Sequence, residues 1–172
     1  VDVCQVAGAS VIHAAAAGED VVLIGGLYNT HLYSLMVRPE IKSAADLKGK
    51  ALAISQPGSG SDSAMKAALQ HLKLVPEKDV ALMMIGSQAE RLAAMEAGQI
   101  AGTLVSVPET SKAREKGYHE LLDLAALNLP YQSGGIATTR RFISQNHAAA
   151  LNVMKAIATA IARMKQDREG VL

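Results

Sequence analysis

The chain consists of short apolar runs that alternate with amphipathic segments, and turns rich in glycine or serine separate them. Six runs of four to six residues predict buried strands, because strands covered on both faces are apolar throughout. Strands that alternate with helices predict an α/β fold with mostly parallel sheets. The runs are residues 3–6, 21–24, 51–54, 80–85, 102–107 and 121–124.

Residues that satisfy free backbone groups mark the predicted helix ends. Ser87 and Glu90 have the spacing of a capping box, and Pro108 suits the first position of the following helix. Asn146 is the predicted N-cap of the last helix. That helix carries an apolar stripe at helical spacing, which predicts that it packs on a core. The stripe consists of Leu151, Met154, Ile157, Ala158, Ile161 and Met164.

The most informative stretch runs from Ala51 to Leu74 and predicts a buried strand, a sharp turn and an amphipathic helix. Gly58 and Gly60 free the backbone for the turn, and Ser61 is the predicted N-cap. The first N–H groups of a helix lack internal partners and carry the positive end of the helix dipole. We therefore expect this turn to hold a small anion or a polar ligand.

Neighbouring side chains modify this expectation. The amides of residues 58–62 and four serine hydroxyls would form a neutral cradle, and Arg91 is a cation that could reach it. Asp62, in the first helical turn, competes with a bound anion. The alternative is that the turn is only a loop and a cap, because every helix start offers such groups. The serines are Ser55, Ser59, Ser61 and Ser63.

The turn departs from the dinucleotide-binding fingerprint. Ser63 stands where a third glycine or alanine belongs, and residues 86–87 follow the next strand in place of an acidic residue. Polar turns also follow three other predicted strands. Ligands bind at the carboxyl edge of a parallel sheet, so a shared edge favours a common site. The three turns are residues 8–10, residues 86–88 and residues 106–108.

The amino-acid composition limits the classes of function that this chain can have. The 172 residues are 49% hydrophobic with a net charge of +1, so the chain can bury a core but exerts no strong attraction on nucleic acid or an acidic membrane. Aromatic residues are 3% of the chain, which leaves few platforms for stacking bases. The five histidines are scattered, and Cys4 is a lone cysteine that we predict to be a small buried hydrophobe. We predict no metal, no cofactor and no membrane helix.

Several motifs resemble one known family. "IKSAADLKGKALAIS", then "GSGSD", then "KDVALMMIGSQAERLAAMEAGQIAGTLVSVP" resemble the substrate-binding proteins of ABC importers in the nitrate/sulfonate/taurine group. That group overlaps the NMT1/THI5-like proteins that bind thiamine precursors. "VAGASVIHAAAAGEDVVLIGG" resembles the segment before the first crossing between lobes. The likeness covers nearly the whole chain.

The resemblance implies a periplasmic-binding-protein-like fold of type II, in which two α/β lobes joined by two crossing segments close on a ligand. The first lobe would comprise residues 1–33 and 132–172, and the second lobe residues 34–131. The implied ligand-binding positions are Ala9, Ser10, Ser55, Gly58, Ser59, Gly60, Ser61, Asp62, Ser106 and Pro108. The implied hinge positions are Tyr28, Asn29, Ser133 and Gly134.

The chain departs from the family at its start, because the opening strands of the first lobe are not present. Two strand–helix units would amount to roughly 60 residues. We expect the remaining part of the first lobe to expose apolar surface, which an oligomer could cover. Family membership further implies a periplasmic protein or a cell-surface lipoprotein whose partners are a small solute and the membrane subunits of an importer.

The leading hypothesis is a non-enzymatic protein that closes on a sulfonate, nitrate or carboxylate. One alternative is a protein that binds a pyrimidine or thiamine precursor, or a THI5-like enzyme on the same scaffold. Such enzymes use iron and a cysteine-rich motif, which a single cysteine cannot supply. Another alternative is the effector-binding domain of a transcription regulator, for which the balanced charge gives no support.

Overall fold

The computed structural model describes residues 2–167 and 170, and within them eight strands and six α-helices form. The strands are β1 (Val3–Val6), β2 (Val22–Tyr28), β3 (Ser34–Val37), β4 (Ala51–Ile54), β5 (Ala81–Met84), β6 (Gly102–Val105), β7 (His119–Asp123) and β8 (Gly134–Thr138). The helices are α1 (Gly8–Ala16), α2 (Gly60–His71), α3 (Gln88–Glu96), α4 (Glu109–Glu115), α5 (Arg140–Gln145) and α6 (His147–Gln166). A single 3-10 turn covers Ala44–Leu47.

The strands form two sheets. A three-stranded sheet has the order β1-β8-β2, and a five-stranded sheet has the order β5-β4-β6-β3-β7. β8 runs antiparallel to both of its neighbours, as β3 does in the larger sheet. β4 pairs in parallel with β5 and β6. All strands but one in each sheet therefore share a direction, which confirms the mostly parallel α/β prediction.

The chain passes between the two sheets twice. The three-stranded sheet takes its strands from the two ends of the described chain, and the larger sheet takes all of its strands from the middle. Division into lobes at residues 33 and 131 is consistent with these strand assignments and remains our proposal. The end positions 1, 168, 169, 171 and 172 of the predicted first lobe lie outside the described residues.

The main core lies on both faces of the five-stranded sheet. Leu52 packs with Met65 and Leu69 of α2, whereas its neighbour Ala53 packs on the other face with Met95 of α3. Successive strand residues point to opposite faces, so a strand between two helical layers must be apolar throughout. This explains why the apolar runs of the sequence predicted these strands.

The smaller sheet is covered less completely, and two expectations are wrong there. Cys4 is exposed because β1 is an edge strand. The predicted core stripe of α6 is largely open, with Leu151, Ile161 and Met164 exposed by 44%, 38% and 52%. The physical reason is that three strands give α6 too narrow a surface to bury its apolar face, and an apolar groove of about 640 Å³ lies between them.

The two leucines Leu104 and Leu151 provide a test of where the stability resides. Leu104 is fully buried in β6, so we expect Leu104→Ala to lower the free energy of unfolding by about 2–5 kcal/mol. Leu151→Ala on the exposed stripe of α6 should change it by less than about 1 kcal/mol. Urea titrations followed by circular dichroism measure both values. Equal losses would contradict a core centred on the five-stranded sheet.

Candidate functional site

The turn between β4 and α2 is held together by its own serines. The N-cap is Ser59, whose hydroxyl accepts a hydrogen bond from the Asp62 amide at 3.2 Å. The predicted N-cap Ser61 is therefore wrong by two residues. Its hydroxyl accepts instead from the Ser55 amide at 2.9 Å, which ties the helix start back to the end of β4. The hydroxyl oxygens of Ser55, Ser59 and Ser61 lie 2.9–3.0 Å from one another.

Only part of the expected amide cradle is free. The Gly58 amide donates to the carboxylate of Asp62 at 2.8 Å, and the Ser59 amide donates to the carbonyl of Gln56 at 3.3 Å. The amides of Gly60 and Ser61 make no hydrogen bond to any described residue. The remaining donors are therefore two adjacent N–H groups in the first turn of α2, where the positive end of the helix dipole lies.

The carboxylate of Asp62 is neutralised locally. Its Oδ2 atom accepts from the Gly58 amide and, also at 2.8 Å, from Nζ of Lys66 one helical turn later. Asp62 is buried and held against the loop. Its charge is therefore balanced by a cation on the same helix, which reduces the competition with an anion that the sequence suggested.

The start of α1 faces the start of α2 across the gap between the sheets. A Cβ atom placed on Gly60 would lie 3.2 Å from Cβ of Ala7, and one placed on Gly58 would lie 3.4 Å from the ring of His13. The Ala9 amide, like that of Gly60, makes no hydrogen bond within the described chain. Ser10 follows it in the first turn of α1. Free helix donors thus approach this junction from both sheets.

A cavity of about 700 Å³ lies between the two sheets. Of the predicted ligand-binding residues only Ser106 lines it, whereas Ala9, Ser10, Ser55 and residues 58–62 do not. Tyr33, which lines the cavity, links it to the start of α2. The smaller sheet contributes one wall and the crossing segments form the back. The other wall comes from the ends of β6 and β7, from α4 and from the start of β3. The lining residues are Gln5, Tyr28, Leu32, Tyr33, Ser34, Ser106, Val107, Thr110, Arg114, Glu120, Asp123, Ala125, Ser133 and Gly134.

The two crossing segments lie side by side at the positions expected for a hinge. The Ser133 amide donates to the Tyr28 carbonyl at 3.0 Å, and the Tyr131 amide donates to the Asn29 carbonyl at 2.9 Å. Gly134 begins β8, and a Cβ atom there would come within 2.8 Å of the Tyr28 ring. All four predicted hinge residues therefore lie at this junction.

Ser106 lies in the cavity wall, but Pro108 is not among the lining residues. Both ends of the Gln88 amide hold Ser106: Oε1 accepts from its backbone N–H at 2.8 Å, and Nε2 donates to its hydroxyl at 3.1 Å. Pro108 occupies the N-cap position of α4, so the helix starts one residue later than predicted. Val107 between them reaches the cavity instead.

Arg91 does not reach the turn as the sequence suggested. It is buried under the edge of the larger sheet, where its guanidinium donates to Oγ1 of Thr103 at 2.9 Å and to three backbone carbonyls. None of these described hydrogen-bond partners is a carboxylate, and Arg91 is not among the residues that line the cavity. Burial lowers the pKa of Arg91, although a guanidinium remains charged at any physiological pH.

Tyr33 connects these features, and no local sequence pattern pointed to it. Its hydroxyl lies 3.7 Å from the position of a Cβ atom on Gly60, and its side chain lines the cavity. Burial raises the pKa of the Tyr33 phenol, and the charge of Arg91 opposes that effect. Thr110, Arg114 and Asp123 were also missed, because they enter the site only when two sheets come face to face.

Comparison with known proteins identifies similar chains. A family model described as "NMT1/THI5 like" matches residues 1–170. The chain is similar to the alkanesulfonate-binding protein SsuA from Xanthomonas axonopodis pv. citri bound to MOPS, with 24% identity and a TM-score of 0.83. It is also similar to the periplasmic aliphatic sulphonate binding protein SsuA from Escherichia coli, with 26% identity and a TM-score of 0.76. Each match covers 99% of this chain and 58% of the SsuA chain.

A more distant structural relative is the periplasmic nitrate-binding protein NrtA from Synechocystis PCC 6803. It is 16% identical with a TM-score of 0.73, over 87% of this chain and 44% of that one. No curated protein sequence matches the chain. The structural matches confirm the predicted periplasmic-binding-protein-like fold, and the chain spans about 58% of the length of the SsuA structures.

The serine cap of α2 can be tested by a pair of substitutions in its first turn. Ser59→Ala removes the hydroxyl that accepts from the Asp62 amide, and we expect it to cost about 0.5–2 kcal/mol of unfolding free energy. Ser63→Ala is the matched control, because no hydrogen bond to its side chain is found among the described residues, and its effect should stay within about 0.5 kcal/mol. Chemical denaturation compares the two. A larger loss for Ser63→Ala would show that the cap is assigned to the wrong residue.

Proposed function

The chain belongs to the NMT1/THI5-like family, and from that premise we propose that it is the solute-binding component of an ABC importer. Its solute on this proposal is a small organic anion, a sulfonate or a carboxylate. The observation that carries the proposal is the cavity between the two sheets, together with the free helix amides at the junction of α1 and α2, to which Tyr33 connects it. Binding would involve no chemical change in the solute.

The free helix amides favour an anionic head group, whereas the charged side chains of the cavity wall, Arg114, Glu120 and Asp123, carry both signs. The donors of Gly60, Ser61 and Ala9 are uncharged N–H groups at helix starts, which favour negative charge. Arg91 adds a buried cation whose described partners are neutral, and Lys66 balances Asp62. Each hydrogen bond to a charged ligand is worth roughly 1.5–3 kcal/mol, so two or three are enough for specific recognition.

The size and lining of the cavity support an organic group attached to that anion. Its volume of about 700 Å³ lies within the range typical of pockets for organic ligands. Tyr28, Leu32 and Val107 give the wall apolar patches, and Thr110 adds a hydroxyl. A planar inorganic ion such as nitrate would leave most of this space empty. We therefore favour an alkanesulfonate-like solute, the class of compound for which the SsuA relatives are named.

The proposed mechanism is closure of two lobes on the solute. The hydrogen-bonded crossing segments act as the hinge, and the solute stabilises the closed state because it contacts donors from both sheets at once. The closed form would then be recognised by the membrane subunits of an importer, at the cell surface or in the periplasm. None of the described helices is both long enough and apolar enough to cross a membrane.

Thermal unfolding with candidate solutes tests this proposal. We expect propanesulfonate or MOPS to raise the midpoint, by the equivalent of about 2.7 kcal/mol at a hundred times the dissociation constant. Nitrate, acetate and a pyrimidine at the same concentration should raise it less. The absence of a shift with every compound would contradict the proposal, and a shift with the pyrimidine alone would favour a thiamine-precursor solute instead.

Substitutions at two positions of α2 test where the solute binds. Gly60→Leu places a side chain in the space between Ala7 and Tyr33 and should abolish the solute-induced shift. Gln70→Leu, at an exposed position later in the helix, is the control and should leave the shift unchanged. Because each shift is a difference with and without solute, a change in basal stability does not affect the comparison. A full shift in Gly60→Leu would remove the α2 start from the site.

A further inference from the structure

One aromatic contact joins the two crossing segments through their side chains. His31 lies on the first crossing and Tyr131 on the second, and their rings stack with centroids 3.9 Å apart and planes inclined by 19°. His31 is 97% buried, since only 3% of its surface is exposed. The stack lies next to the backbone hydrogen bond between Tyr131 and Asn29. We call this contact the His31–Tyr131 stack.

The polar atoms of this contact are buried without partners. Nδ1 of His31, the hydroxyl of Tyr131 and the hydroxyl of neighbouring Thr30 are all buried and bond to no described residue. A neutral imidazole carries a proton on only one ring nitrogen, so the other nitrogen has no N–H that needs an acceptor. An imidazolium carries a proton on both nitrogens. A charged His31 in this position would therefore be a buried cation whose Nδ1–H has no acceptor, which is strongly unfavourable.

The charged surroundings offer His31 no compensation. Tyr131 is the titratable group that stacks on the His31 ring, and Tyr33 lies two residues after His31 on the same crossing segment. The charge of Arg91 acts on the pKa of Tyr33, which it lowers. Within the described chain, no charged group contributes to the pKa of His31, which burial alone lowers from its ordinary value of 6.5. A nearby carboxylate would have stabilised the imidazolium, and none does so.

We propose that the His31–Tyr131 stack is a pH-sensitive contact in the hinge, which holds the crossing segments together while His31 is neutral and releases them when His31 is protonated. Above pH 6.5 both the stacked and the released forms are neutral, so the stack is fully populated. As the pH falls below 6.5, the released form takes up a proton before the stacked form does. The ratio of released to stacked molecules therefore rises by up to tenfold per pH unit. The shift ends when the pH reaches the lowered pKa of the stacked form.

Titration of the unmodified chain by NMR gives the first test and requires no solute. We expect the ring protons of His31 to titrate below the ordinary histidine value of 6.5. The same spectra should show the Tyr131 ring signals changing with the His31 midpoint. A midpoint for His31 at or above 6.5 would overturn the proposal.

The distance between the lobes gives the second test. Spin labels on the exposed Cys4 and on Glu115→Cys of α4 report separation between the sheets from pH 7.5 to pH 5. The labelled chain should open as the pH falls, whereas His31→Phe, which keeps a stacking ring but cannot be protonated, should not. His71→Gln is the control and should open as the parent does. Opening in His31→Phe equal to that of the parent would overturn the proposal.

A third variant tests the same stack in case His31→Phe does not fold. Tyr131→Leu removes the stacking partner, so its lobes should already be separated at pH 7.5 and should respond little to acid. A Tyr131→Leu chain with the parent's separation at pH 7.5 and the parent's pH response would overturn the proposal. All these measurements are made without solute, so a failure of the proposed transport function would not alter their outcome.

Discussion

Hydrogen bonding between the two crossing segments is the constraint on which the rest of the structure depends. Amides of the return crossing donate to the carbonyls of Tyr28 and Asn29, and the Gly8 amide at the start of α1 donates to the Gln132 carbonyl at 2.9 Å. These bonds fix how the edges of the two sheets face each other. The start of α1, the start of α2 and the cavity become neighbours only because this junction is closed.

The free N–H groups at the two helix starts offer partial positive charge at small energetic cost. Helix N–H groups carry partial charge without the desolvation penalty of an ion. Arg91 is fixed by four hydrogen bonds from its guanidinium to Thr103 and the backbone, so its charge is held in place. A rigid, prepared array of donors binds an anion more tightly than a flexible one, because less ordering is required on binding.

Sequence patterns located the elements well where burial on both faces dictated them. β4, β6 and the capping box of α3 were predicted because apolar runs and cap spacing are local signals. The predictions failed where the environment differed from the local pattern. Ser61 is of a residue type that commonly caps helices, yet the hydroxyl of Ser59 makes the cap hydrogen bond. The apolar stripe of α6 is covered only in part, because the sheet beneath it is narrow. α5 went unpredicted, since its six residues are too few for a periodic signal.

What the sequence determined by itself was the α/β class, the order of its elements and the glycine–serine turn, because hydrophobic periodicity and caps act over a few residues. The tertiary structure alone decided which amides stay free, that Tyr33 and Thr110 line a cavity, and that His31 stacks on Tyr131. Those properties join residues that are far apart in the chain, such as His31 and Tyr131 of the stack and Gln5 and Gly134 of the cavity wall. No local pattern encodes such contacts, since they arise only when two separately formed sheets meet.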